Sequence, residues 1–466
     1  MLPILVNRLI FPVHEWLKGK PTHARLCELE KSQWLSPTAL RETQFRALRA
    51  HLDFAYREVP YYTRLLDEHG LQPARIQSFE DFARIPYLTR DLLRRHLDDL
   101  QPRRKLRGVQ RMSTGGSTGS PVAIMVDAER AAFTDATRLR AHRWFGVDMG
   151  APEIVLWGSP IETGRQDRLR TFRDRLINSR LLSAFDLGEP ALARYADILA
   201  RERPQKLFGY ASALYLLARY LQGHDRAPGP DSLRVAFTTA EPLYDFQRAA
   251  IQSAFGCPAA VEYGSRDAGL IANECPAGSL HVATEGITVE ILPGSGSGAG
   301  ASGEIVVTNA YSFAMPIIRY RTGDVGALAE AACRCGRALP CLATVEGRRT
   351  DFLVTPEGRV MHALAAIYIL RELPGLREFQ LVQERVDLVR VRLVPDQGFA
   401  SETPDLVVSR LGRLLGSGVS VEVEITPEIP RAPSGKHRYV ISKVADQQLE
   451  ALLGRSLLGS PLLGPQ

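Results

Sequence analysis

Lys206-Leu-Phe-Gly-Tyr210, Leu233-Arg-Val-Ala-Phe237 and Ala260-Val-Glu-Tyr263 are three short apolar runs. Between them, 212–222 and 242–255 place apolar residues at helical spacing. A strand, a helix of ten or so residues and another strand is the pattern of parallel strands joined by crossovers. The stretch 206–263 therefore predicts an α/β unit with a largely parallel sheet. Upstream the rhythm continues with a helix over 190–202, the buried strand Glu153-Ile-Val-Leu-Trp-Gly158, a helix over 128–145 and the strand Val122-Ala-Ile-Met-Val126. Residues 30–110 read as mostly helical. Segment 165–180 carries Arg165, Arg168, Arg170, Arg173 and Arg175 and reads as a solvated amphipathic helix. Downstream of 280 the texture turns to β, with Ile287–Leu292 and Glu304–Thr308 flanking a Gly/Ser tract at 293–300. From Asp351 a smaller unit is expected, with helices at 363–372 and 404–416 and strands at 378–383, 386–394 and 420–425. The expected fold class is α/β: a large N-terminal part (1–350) of mixed sheets with helices, and a small mobile α+β C-terminal part (351–466).

The chain has 466 residues, 45% hydrophobic and 24% charged, enough for two or more cores. Lys and Arg number 58 against 52 Asp and Glu, and the excess of six is spread thinly. The basic cluster Arg103-Arg104-Lys105-Leu106-Arg107 is short and reads as a solvated face, so no nucleic-acid partner is expected. No run reaches 18 uninterrupted apolar residues, which predicts no transmembrane segment. The apolar N-terminus, Met1 to Val13, is interrupted by Asn7 and Arg8 and lacks a cleavage site. It reads either as packing on the body or as an amphipathic helix on a membrane surface. Six cysteines at uneven spacing do not resemble a secreted disulfide framework. A reducing, cytoplasmic setting is expected, with Cys27 and Cys257 as ordinary buried residues.

Six segments carry chemistry. Ser113-Thr114-Gly115-Gly116-Ser117-Thr118-Gly119-Ser120-Pro121 combines small residues and hydroxyls that let backbone N–H groups approach phosphate, so it reads as a grip on the phosphates of ATP. It is not a Walker loop, because no Lys-Ser/Thr follows its last glycine. Thr239-Ala240-Glu241-Pro242 puts a small residue after a buried strand, leaving backbone groups free for a base edge. In Glu262-Tyr263-Gly264-Ser265-Arg266-Asp267, Tyr263 can stack on adenine and Asp267 can hold Mg²⁺. In Ile318-Arg319-Tyr320-Arg321-Thr322-Gly323-Asp324, Asp324 can accept both ribose hydroxyls, and extended backbone would put Arg319 and Arg321 on one side. Glu346-Gly347-Arg348-Arg349-Thr350-Asp351 lies at the expected boundary. Arg431-Ala432-Pro433-Ser434-Gly435-Lys436 offers a lysine on a turn, able to swing to a phosphate or carboxylate.

A second constellation lies in the β region around 275–341. Cys275, His281, Cys333 and Cys335 can form a closed tetrahedral Zn²⁺ site, structural because four protein ligands leave no open position. Cys341 is a spare ligand, and free, partly buried thiols are the other reading. Trp157, Gly158, Tyr210, Ala211 and Ser212 are candidates for an organic pocket. His142, His362 and His437 read as surface or packing histidines.

The ordered set TGGSTGSP, YGSRD, RYRTGD, GRRTD and SGK resembles the adenylate-forming enzymes, in particular their phenylacetate-CoA ligase and CapK-like capsule-biosynthesis branch. Cys333-Arg334-Cys335-Gly336-Arg337 is in the style of that branch, and the likeness spans about 30–445. The resemblance implies that Ser113 to Gly119 hold the β- and γ-phosphates, that Ala240 and Glu241 line the adenine, and that Tyr263, with Gly264 and Ser265, faces the base. It implies Asp324 on the ribose with Arg348 helping, Asp351 at or next to a hinge, and Lys436 bridging substrate carboxylate and α-phosphate. Asp267 stands where the family usually has glutamate. The implied activity uses ATP, Mg²⁺ and a carboxylic acid, aryl or medium acyl, to make an acyl-adenylate, then passes the acyl group to CoA. An amine or hydroxyl acceptor on a sugar or amino acid is the alternative, and a zinc-containing binding protein without activity is a distant one. A homodimer is compatible with this reading.

Overall fold

The computed structural model describes residues 2–113, 122–157, 173–184, 187, 189–226, 232–293, 302–348, 352–356, 360–362, 364–430 and 438–444. Residues 114–121 of the glycine-rich stretch, Gly158, Arg165 to Arg170, the tract 294–301, Asp351, Lys436, His437 and the tail from 445 lie outside them.

The helical first hundred residues form a layer against a sheet. Helix Pro37–Glu58 starts with proline in its first turn and the Ser36 hydroxyl accepting from the Ala39 N–H. It buries Leu40, Leu48, Leu52 and Ala55, one stripe of the helix. Leu48, Leu52 and Ala55 share a core with Tyr62 and Leu66 of helix Pro60–Glu68 and with Ile271, Val282, Ile305, Val307 and Ile317 of the sheet. Strands β1 (Gln110–Ser113) and β2 (Ala123–Val126) pair antiparallel as a separate ribbon flanking the glycine-rich loop.

One sheet of eleven strands carries the rest of the large part. Its strands are β3 (Glu153–Trp157), β4 (Ser179–Ser183), β5 (Lys206–Gly209), β6 (Val235–Thr239), β7 (Ala259–Ser265), β8 (Gly269–Glu274), β9 (Leu280–Val282), β10 (Ile287–Pro293), β11 (Gly303–Asn309), β12 (Ile317–Leu328) and β13 (Cys341–Arg348). Their spatial order is β10-β11-β12-β13-β9-β8-β7-β6-β5-β3-β4. Strands β4, β3, β5, β6 and β7 run parallel, with helices Glu189–Glu202, Ala211–Gly223 and Asp245–Phe255 as crossovers. From β7 onward every pairing is antiparallel. The alternation over 206–263 and the β texture beyond 280 are thus the two halves of one sheet, joined at β7.

Three expectations need correction. Segment 165–180 is not one helix: residues 173–176 are helical, and Ser179–Ser183 forms the edge strand β4. Arg319 is not extended. Its φ is +49°, and β12 is irregular beside β11 there. Its guanidinium is buried, paired with Glu290 at 2.8 Å and bonded to the carbonyls of Ala83 and Ile85, while Arg321 pairs with Glu304 at 2.5 Å. Arg319 therefore joins the sheet to the helical layer, while Arg321 ties two strands of the sheet together. Cys27 is exposed, because helix Thr22–Ser32 turns Leu26 and Leu29 inward instead. The N-terminus is helical and packs on the body through Val6, yet leaves much of its apolar surface in solvent.

After β13, β14 (Phe352–Val354) and β15 (Val360–His362) form a ribbon. A separate four-stranded sheet follows, ordered β18-β17-β16-β19, from β16 (Leu376–Arg385), β17 (Leu388–Pro395), β18 (Ser420–Ile425) and β19 (Val440–Ser442). Helices Leu364–Arg371 and Thr403–Leu415 cover it, with Leu370, Val389, Val391, Val407 and Leu411 fully buried between. Tyr439 meets the large part, its ring 5.9 Å from Tyr244 and its hydroxyl 3.4 Å from Gln247 Nε2. Among the described residues no helix is long and apolar enough to cross a membrane.

Candidate active site

Parallel strands present their carboxyl ends, and the loops that leave them, on one edge of the sheet, where α/β folds bind ligands. Here that edge carries Trp157 at the end of β3, Tyr210 after β5, Ala240 after β6 and Tyr263 to Ser265 at the end of β7. All of these line one cleft of about 1550 Å³. Pockets for a single drug-sized ligand measure about 300–1,000 Å³, so a cleft this size has room for two reactants.

At the β6 end, Ala240 sits at φ +67°, a left-handed conformation that alanine adopts only under constraint. The constraint is visible in Glu241, whose Oε2 accepts the Ser212 N–H at 2.9 Å, in the first turn of helix Ala211–Gly223. Ser212 itself is buried and does not line the cleft. It holds the Ala240-Glu241 turn from behind, and a carboxylate at a helix N-terminus is favourable there.

At the β7 end the switch to antiparallel pairing makes the second wall. Gly264 lies at a register shift against β8, where a Cβ would stand 2.6 Å from the Gly269 carbonyl oxygen. The Ser265 hydroxyl accepts the Ala268 N–H at 3.0 Å and closes the turn. The Tyr263 hydroxyl donates to Asp324 Oδ2 at 2.9 Å, which fixes the β12 carboxylate beside the tyrosine ring. Asp324 is the strand partner of Arg348 across β12 and β13. Asp267 is buried at the cleft wall, its Oδ2 accepting from the Tyr320 hydroxyl at 2.6 Å. An ionised carboxylate has about four lone-pair sites, so this bond leaves capacity for a cation.

Sequence reasoning passed over the support for this wall. Arg130, fully buried in helix Ala128–Trp144, donates to the carbonyls of Arg266 at 2.6 Å and Asp267 at 2.9 Å. Asp127 caps that helix and also accepts the N–H groups of Phe313 and Ala314. The cap was readable from an aspartate before a helical run, but the long-range partners have no local signal.

A second part of the cleft runs under helix Ala128–Trp144 along one face of β3 and β5. Residues two apart share a face, so Trp157 and Val155 lead down to Glu153, and Tyr210 and Phe208 to Lys206. Near the carboxyl-end edge the rungs are aromatic, with Trp157 4.5 Å from Tyr210 and 5.9 Å from Phe208 between ring centres. Four residues away the rung is charged: Lys206 Nζ lies 2.6 Å from Glu153 and 3.0 Å from His142 Nδ1. Burial would raise the Glu153 carboxyl, but Lys206 holds it below the ordinary value. Burial, helped by Lys206 and Arg138, keeps the His142 imidazole neutral. Arg138 binds both oxygens of Glu262, at 2.6 and 2.8 Å. His142 is thus a buried packing histidine against Phe237, at 4.5 Å.

The cysteine constellation is assembled. The candidate ligand atoms of Cys275, His281, Cys333 and Cys335 all lie within 4.8 Å of one another. Cys275 and Cys333 sulfurs are 3.7 Å apart, and Cys335 Sγ is 3.2 Å from His281 Nε2. His281 Nδ1 donates to the Leu339 carbonyl at 3.0 Å, the arrangement that frees Nε2 for a metal. Cys341 lies on the Nδ1 side, at 3.3 Å, and so stands apart from the four. Three thiolates and one imidazole in reach of one point fit Zn²⁺.

Residues 353–443 match the CapK C-terminal domain. Protein CapK of Staphylococcus aureus is 24% identical over 95% of this chain and 98% of its own length. A phenylacetate-coenzyme A ligase of Thermus thermophilus is 24% identical over 86% of this chain and 96% of its own. A solved 2-hydroxyisobutyryl-CoA ligase, in its postadenylation state with a bound adenylate, superposes with a TM-score of 0.71 at 20% identity. That match covers 91% of this chain and 94% of the other.

Proposed function

For a chain that is a relative of CapK and of phenylacetate-coenzyme A ligases and has the fold of adenylate-forming acid–CoA ligases, we propose an ATP-dependent carboxylate activation. A carboxylate oxygen attacks the α-phosphorus of ATP, pyrophosphate leaves, and the acyl-adenylate then passes its acyl group to the thiol of CoA. The observation that carries this reading is the Tyr263–Asp324 hydrogen bond at 2.9 Å. It joins an aromatic face for a base to a carboxylate able to accept two ribose hydroxyls, on a cleft wide enough for a second reactant. Ala240, Glu241, Gly264 and Ser265 would complete the adenosine site, with Arg348 near the ribose. Ser113 to Gly119 would take the leaving phosphates.

Asp267 would hold Mg²⁺, whose charge favours the displaced pyrophosphate. Lys436 would meet the charge that grows on the α-phosphate, a preorganised contact of the kind that contributes most to such transition states. Asp351 would serve as the hinge on which the C-terminal part, 351–466, brings Lys436 in and withdraws it. The acid would lie against Trp157 and Tyr210. Cys275, His281, Cys333 and Cys335 would hold a structural Zn²⁺.

Transfer to an amine or hydroxyl instead of CoA is a second reading. It rests on the likeness to CapK, whose name, unlike those of the ligases, specifies no CoA acceptor. Hydroxamate trapping of the adenylate over a carboxylic-acid library, with and without CoA, tests both. Hydroxamate without any CoA thioester in the CoA arm rejects the CoA version. No pyrophosphate release with any acid rejects the enzyme reading and leaves a binding protein.

A further inference from the structure

Residues 3–17 form one unbroken helical run, Pro3–Leu5, Val6–Ile10 and Phe11–Leu17, about 22 Å long at 1.5 Å per residue. One side is anchored. Val6 is fully buried against Gly150, Asn7 Nδ2 donates to Asp148 at 2.8 Å, and Phe11 packs on the large core. Glu15 is buried and accepts from the Thr22 hydroxyl. The other side is apolar and open: Leu2, Ile4, Leu9, Trp16 and Leu17 are 71, 62, 56, 77 and 72% exposed. Leu5 and Val13 are exposed beside them. Half of the fourteen large hydrophobic residues exposed among the described residues thus fall within sixteen positions. A helix apolar on both faces is a helix with two partners, and the body supplies only one.

The charges indicate the other. Arg8 is exposed outside the cleft and forms no ion pair with a described residue, and Lys18, also exposed and without an ion pair to a described residue, stands at the cleft's lining. Glu15 is the sole acid between positions 2 and 20, and it is buried. The exposed side therefore presents leucine, isoleucine and tryptophan flanked by cations, with no exposed acid on the segment. A second copy meeting it across a twofold axis would set cations against cations. Neutral lipid would leave them unmatched.

We propose that this segment docks the protein on an anionic phospholipid surface. Leu2, Ile4, Leu9, Trp16 and Leu17 enter the boundary between headgroups and acyl chains, and Arg8 and Lys18 meet lipid phosphates. The test is sedimentation of the full chain with vesicles of phosphatidylglycerol and phosphatidylcholine, against phosphatidylcholine alone. Binding to the anionic vesicles is expected, weakened by added salt. It should fall about tenfold or more in Leu9→Glu/Trp16→Glu. It should fall about fivefold in Arg8→Gln, one interfacial cation's share. These side chains lie in solvent and outside the cleft, so the variants should keep the melting temperature and any pyrophosphate release of the parent. Brominated acyl chains should quench a share of tryptophan fluorescence that disappears in Trp16→Phe. No anionic binding, or binding indifferent to Leu9→Glu/Trp16→Glu, overturns the proposal. So does a concentration-dependent dimer abolished by the same pair, which would assign the face to a second copy.

Discussion

Removing one hydroxyl isolates the contact on which the nucleotide reading rests. In Tyr263→Phe the ring stays, and Asp324 loses the donor at 2.9 Å. A hydrogen bond to a charged partner contributes roughly 1.5–3 kcal/mol. Both side chains are half-buried, so screening lowers this to about 1–2 kcal/mol. At 1.4 kcal/mol per factor of ten, kcat/KM for ATP should fall about 5- to 30-fold. The loss should fall mostly on KM, because ribose contacts are made before and during the reaction alike. Tyr263→Ala removes the ring as well and should lose about a further 1–3 kcal/mol of base stacking. Continuous pyrophosphate release across an ATP titration, with a saturating acid found by hydroxamate screening, measures both. If Tyr263→Phe leaves kcat/KM for ATP unchanged while its melting temperature equals the parent's, the adenosine site is not at the Tyr263–Asp324 pair.

Lys436→Ala should suppress adenylation far more than it weakens ATP binding measured by calorimetry, and equal activity would remove the role assigned to Lys436. Purified protein should carry about one zinc per chain by elemental analysis, lost in Cys335→Ser, and less than about half an equivalent in the parent counts against the site. Arg140→Met strands the buried Glu285 carboxylate, its partner at 2.5 Å, and should lower unfolding stability by about 3–5 kcal/mol in denaturant titration. His51 is fully buried, with neither ring nitrogen hydrogen-bonded to a described residue, and burial pushes it down to about 3. The unfolded state then takes up a proton below pH 6.5 that the folded state refuses, so stability is lost as pH falls from 6.5 towards 3, by about 1.4 kcal/mol per unit. His51→Leu should flatten that slope, and an unchanged slope would refute the assignment.

The periodic signals were legible because they are local. Apolar alternation and helical spacing located β3, β5, β6 and β7 and the three helices between them to within a few residues. Strand β4 was missed because Arg173 and Arg175 beside it give the segment the look of a solvated helix, whereas an edge strand tolerates such residues. The arginine pair at 319 and 321 misled for a related reason. Spacing of two implies a shared side only on regular strands, and Arg319 stands at positive φ. Tyr263 and Asp324, 61 residues apart, were named by motif and are joined through their side chains. Arg130 was not named, and the contacts of Tyr320 with Asp267 and of Lys206 with Glu153 and His142 were not foreseen, since a buried hydrogen bond between distant elements leaves no mark on the residues next to it.

The loop carrying Cys333 and Cys335 is also the connection between β12 and β13, and those strands bring Asp324 opposite Arg348 at their far end. Side chains alternate faces along a strand, so a slip of one residue anywhere in this hairpin would turn Asp324 away from Tyr263. The pairing already contains two irregularities, and the chain between the strands is short of regular structure. A Zn²⁺ held there would clamp that connection to Cys275, just after β8, and to His281 on β9, setting the alignment at one end for the hairpin to carry to the other. Damage by oxidants or chelators to a cluster that touches no substrate would then first be felt as a fault in nucleotide affinity.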